Sequence, residues 1–80
     1  MPSTLAEQLR AARATLEAAG IPPAAAAVDA DVLARHALGG WERGQLLTRL
    51  RDAAPDGFAE AYLPLVVRRA RREPAAYIMG

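Results

Sequence analysis

Eighty residues with a formal charge of +1 make one domain at most. A domain of this size buries only roughly 60–65% of its unfolded surface and retains about 3–5 kcal/mol from its core, too little for a core and a deep catalytic pocket together. The absence of cysteine and the single histidine exclude a disulfide framework, a thiolate zinc site, a cysteine nucleophile and a histidine-rich metal site.

Hydrophobic residues make up 52% of the chain and aromatic ones only 5%; alanine, about a quarter of all residues, fills the difference. Alanine has the highest helix propensity, and β-branched residues are few, so the expected fold is all-α, a small bundle of four to five helices. No run of 18 apolar residues suggests a membrane span, and Glu7 and Arg10 interrupt any apolar leader. The expected location is cytoplasmic.

The first helix starts at a capping box, Thr4-Leu5-Ala6-Glu7, in which the hydroxyl and carboxylate satisfy each other's backbone amides. Leu5, Leu9, Ala12, Leu16 and Ala19 follow as one apolar stripe, with Arg10, Arg13 and Glu17 on the other side. Gly20 ends it as a left-handed residue, Ile21 folds back on the last turn, and Pro22-Pro23 forbid continuation. Pro23 suits the first turn of a second helix, whose buried side is assigned to Val28, Val32, Leu33, His36 and Ala37. Gly39-Gly40 closes that helix.

Trp41 to Arg51 predicts a short third helix with Trp41, Leu46, Leu47 and Leu50 as its apolar members. Asp52 to Gly57 is a breaker-rich loop. From Asp56 to Arg72, Phe58, Tyr62, Leu65, Val66 and Arg69 share a helical face. Pro64 falls inside this segment and predicts either a kink or two short helices, because it removes a hydrogen bond and crowds the carbonyl of residue 60. Glu73-Pro74 ends the helix.

Few residues offer chemistry. Arg68, Arg69, Arg71 and Arg72 read first as a solvated last turn that complements the helix dipole, and second as the candidate contact for a phosphate or an acidic partner. Asp29 and Asp31 point about 200° apart on a helix and cannot converge on one substrate; they read as ordinary polar residues, with a cap on a neighbouring element as a further option for one or both. His36 has no partner in the sequence, and Trp41 reads as a core or boundary residue. The sole serine, Ser3, has no base to pair with. Residue chemistry alone assembles no catalytic, cofactor-binding or metal site.

Two motifs nevertheless resemble a known family. Asp29-Ala30 followed by Leu33 and Leu38-Gly39 matches a second-helix pattern. Arg68-Arg69, then Glu73-Pro74-Ala75-Ala76-Tyr77-Ile78-Met79-Gly80, matches a sharper "RR … EP-x-x-Y-[IL]-x-G" pattern. Together they resemble the N-terminal domain of the HemK/PrmC family, the peptide chain release factor glutamine methyltransferases, over essentially the whole chain. The chain departs from the pattern at Arg72, where a glycine commonly stands, at Ala76 in place of a frequent glutamine, and at Pro64.

The resemblance implies that residues 1–74 form a substrate-docking helical domain. Residues 75–80 then begin the junction to the chain's own C-terminal methyltransferase domain, with Glu73, Pro74, Tyr77 and Gly80 as the junction motif. It implies that this following domain binds S-adenosylmethionine and methylates the glutamine of the release factor's Gly-Gly-Gln loop. The glycine-rich loop and the Asn-Pro-Pro-Tyr motif of that chemistry are not in these 80 residues. The implied partner is the peptide chain release factor. A stand-alone nucleic-acid-binding or protein-interaction module using Arg68 to Arg72 is the alternative. Nucleic acid is the less favoured partner, since the chain has little net charge and no Asn or Gln beside its arginines to read bases.

Overall fold

The computed structural model describes residues 3–79 and consists of five helices. They are α1 (Leu5–Ala18), α2 (Pro23–Ala37), α3 (Arg43–Thr48), α4 (Phe58–Ala70) and α5 (Ala75–Met79). Helices α1, α2 and α4 pack against one another around the core, α3 leans on α2, and α5 sits against α2 and α4. Leu5, Leu16, Leu33, Leu46 and Tyr62 are the largest fully buried side chains.

The start of α1 shows how completely a small fold accounts for its backbone. Thr4 Oγ1 accepts from the Glu7 amide at 3.1 Å, and Glu7 Oε1 accepts from the Thr4 amide at 2.9 Å, as the capping box predicts. The remaining first-turn donors reach the α3–α4 loop: Leu5 N–H donates to the Asp52 carbonyl and Ala6 N–H to that of Leu50. The Ala54 amide returns a bond to Ser3. The loop read as a plain connector therefore caps the first helix.

Three helix ends share one solution. At α1, Gly20 N–H bonds to the Glu17 carbonyl and Ile21 N–H to that of Leu16, the paired bonds of a Schellman motif. At α2, Gly39 and Gly40 bond to His36 and Arg35 in the same way. At α4, Arg72 and Glu73 bond to Arg69 and Arg68. Arg72 occupies the left-handed position with φ of 71°, where glycine costs nothing and a side chain costs about 1 kcal/mol. The departure from the family's glycine is thus a residue held in glycine's conformation.

Two sequence expectations are corrected and one open alternative is narrowed. The buried side of α2 is Ala26, Ala30, Leu33 and Ala34, not Val28, Val32 and His36. Val28 is 61% exposed and His36 lies open to solvent in the last turn. Ranking by side-chain size misled here, because a helix packed against neighbours on several sides uses alanine to bring them close. Helix α3 covers only Arg43–Thr48: Glu42 and Gln45 form its capping box, Trp41 stays outside as a half-buried boundary residue, and Leu47 is exposed. Of the two outcomes Pro64 allowed, two short helices are excluded, because α4 runs as one helix from Phe58 to Ala70. Glu60 and Pro64 both lie on its exposed side, so water can serve the carbonyl that proline leaves unpaired.

Candidate partner-binding surface

The arginine run at the end of α4 is divided by the fold. Arg69 Nε donates to Asp29 Oδ2 on α2 at 2.9 Å, and its Nη1 donates to the Glu73 carbonyl at 3.2 Å. The two side chains are only 23% and 16% exposed, so this pair ties α4 to α2 in a largely dry setting. Arg68 Nε reaches Glu73 Oε2 at 2.8 Å. Arg72 Nη2 donates to the Ala19 carbonyl at 3.2 Å, across to the end of α1. Gly20 holds φ of 94°, so the turn itself calls for glycine, and a methyl group there would only displace the exposed tip of Arg72, 2.8 Å away. Arg71 is exposed and forms no ion pair among the described residues.

The residues of the junction motif also have places. Glu73 takes the Arg68 guanidinium, and the Pro74 carbonyl accepts from the Tyr77 and Ile78 amides to open α5. Ile78 is buried in the core while Tyr77 is 76% exposed. Gly80 lies outside the described residues.

Tyr62 binds α4 to α2 from within the core. Its hydroxyl donates to the Ala30 carbonyl at 2.9 Å, and its ring stacks at a tilt on Phe58. Burial, with a smaller contribution from the nearby Asp31 carboxylate, holds the phenol well above its ordinary range, so it acts only as a donor. Glu7 is shifted the other way: the Thr4 amide, then the Thr4 hydroxyl, hold its carboxyl below the usual range.

A second basic surface was not singled out by the sequence. A groove of about 350 Å³ runs between α1, α2 and α3 and includes Leu9, Arg10, Arg13, Ala27, Arg43 and Leu50. A neighbouring depression of about 260 Å³ shares Ala27, Asp31 and Arg43 with it and extends to Val28 and Arg35. Asp31 accepts from Arg35 at 2.7 Å and stands 3.9 Å from Arg43, which screens its charge. Arg10 and Arg13 form no ion pair among the described residues. Their spacing of three on one helix was the available signal; nothing in the sequence announced that Arg43 would join them.

Among the described residues, no three His, Cys, Asp or Glu side chains come together as a metal site, and no helix is long and apolar enough to cross a membrane. The molecule is thus a small all-α domain whose polar chemistry lies at its surface. The family model described as the PrmC N-terminal domain matches residues 7–80, and the chain belongs to that family. It is 49% identical over 77 residues, 96% of its length, to a release factor glutamine methyltransferase of Corynebacterium glutamicum. It is 39% identical over 79 residues to that of Burkholderia pseudomallei and 42% identical over 72 residues to that of Mycolicibacterium smegmatis. The chain spans about a quarter of the length of these curated relatives. No solved structure matches it with significance.

Proposed function

We propose that this chain is the non-catalytic, release-factor-docking domain of a protein glutamine methyltransferase. The family match over nearly the whole chain carries this reading, together with its quarter-length coverage of relatives named for release factor methylation. In this reading residues 1–74 hold the substrate protein. Residues 75–80 lead toward the methyltransferase domain, with exposed Tyr77 facing outward from the last helix. Release factors act at the ribosome, so the assignment carries a cytoplasmic location with it.

S-adenosylmethionine is the methyl donor this function calls for, and the described residues do not fit it. Gly20, Gly39, Gly40 and Gly57 sit at helix ends in left-handed turns, not between a strand and a helix. Two of the depressions are open and arginine-rimmed, and a third, beside Trp41 and Phe58, is equally open and has Asp56 as its one charged group. Methyl transfer is therefore assigned to no residue of this chain; its contribution is binding and orientation, which lower a barrier by holding the reacting group in place.

The test is direct. Calorimetry of the 80-residue chain with a bacterial release factor should show one-to-one binding at low salt. Excess chain should also inhibit methylation of that release factor by one of the full-length relatives. No heat of binding and no inhibition would remove the reading.

A further inference from the structure

We infer that the groove between α1, α2 and α3 docks an acidic segment of the partner protein, one that also carries an apolar side chain. This rests on the docking reading above and names the surface that performs it. The groove and its neighbouring depression carry four arginines, Arg10, Arg13, Arg35 and Arg43, against the one carboxylate of Asp31. That is a formal +3 on one surface of a chain whose total is +1.

Availability separates this cluster from the denser run on α4. Arg68 and Arg69 are committed to carboxylates and Arg72 to a carbonyl. Arg10 and Arg13 are exposed on α1 and form no close ion pair among the described residues, Arg10 exerting only a weak pull on Glu7. Arg43, 73% exposed, holds Asp31 only at 3.9 Å and can turn outward to a better partner. Asp31 keeps its close contact with Arg35, so an incoming carboxylate meets an already screened charge.

The floor decides the class of occupant. Leu9, Ala27 and Leu50 line the groove, and Val28 stands exposed beside it. Arginines around an apolar floor match the anatomy of a protein interface, where a side chain is buried and charges at the rim set orientation. A volume of about 350 Å³ accepts one or two side chains of a peptide. A nucleic-acid site would need a longer cationic track or stacking aromatic residues, and no aromatic side chain lines this groove.

The experiment compares the chain with R10E/R13E and R71E variants against three probes: a bacterial release factor, a synthetic helical peptide of alternating Glu and Leu turns, and a single-stranded oligonucleotide. Thermal melts first show that the variants remain folded, as exposed positions should. The inference expects R10E/R13E to weaken release-factor binding by about 10-fold or more at 50 mM salt, and R71E by less than about 2-fold. It expects the peptide to shift the amide signals around Arg10, Ala27 and Arg43. If the release factor binds and R10E/R13E changes nothing, the inference is overturned while the docking reading stands. If the release factor does not bind but the peptide shifts the groove signals, the docking reading fails and the acidic-segment site stands. Failure of both probes at the groove, or tighter binding of the oligonucleotide there, overturns the inference.

Discussion

The two arginine-bearing surfaces of this domain differ in what the fold has already done with them. On α4 the guanidinium groups are close in sequence and largely used: Arg69 bridges to Asp29, Arg68 to Glu73, and Arg72 closes the end of α1. Around the α1–α3 groove the arginines come from three separate elements, and two of them form no close ion pair among the described residues. A run of like charges reports local composition, whereas free charge depends on what each side chain meets after folding.

Removing Arg69 should sharpen that contrast most. Arg69→Ala leaves the Asp29 carboxylate mostly buried without its partner and should cost about 2 kcal/mol, discounted from the fully buried case for residual exposure. Denaturant unfolding measures it, and the double change Asp29→Ala with Arg69→Ala should recover most of the loss. Equal stability of Arg69→Ala and wild type would move Arg69 to the free group.

Tyr62→Phe should cost about 1 kcal/mol through the lost bond to the Ala30 carbonyl. It also tests a pH dependence. The folded phenol titrates above its unfolded value, so stability is intact below about pH 10 and falls as pH rises above it. The phenylalanine variant should lose that alkaline decline, read from unfolding curves at pH 8 and pH 11.

Arg72 separates strain from contact. Arg72→Ala keeps the left-handed backbone and loses the bond to Ala19, for a loss of about 1 kcal/mol. Arg72→Gly loses the same bond but relieves the backbone, so it should lie within about 0.5 kcal/mol of wild type. A glycine variant less stable than the alanine variant would contradict the capping account. The smallest effect is at Glu7, whose carboxyl should titrate below the ordinary glutamate range in an NMR titration. Its stabilising contribution is present above the ordinary carboxylate range and fades as pH falls through its lowered value.

Much of this was legible in the chain. The capping box at Thr4 and Glu7, the stripe of α1 and the stops at Gly20 and Gly39 rest on local rules, and local rules are what a sequence displays. The buried face of α2 was not legible, since alanines on every side leave the face to be chosen by the neighbours. Pro64 left open a kink or two short helices, and only its solvent-facing position, where water can serve the freed carbonyl, lets one helix run through it. The family motif pointed to the right relatives, but the groove joins residues 10, 13 and 43 through tertiary packing, and no spacing encodes that.

The central contrast has a direct measurement. Arginine Nε–Hε signals of the labelled chain report the order of each guanidinium, first free and then with a bacterial release factor added. Arg69 and Arg68 should be ordered in both states, while Arg10 and Arg13 should be mobile alone and become ordered in the complex. Ordering confined to Arg71 and its neighbours on α4, with Arg10 and Arg13 mobile throughout, would contradict the account.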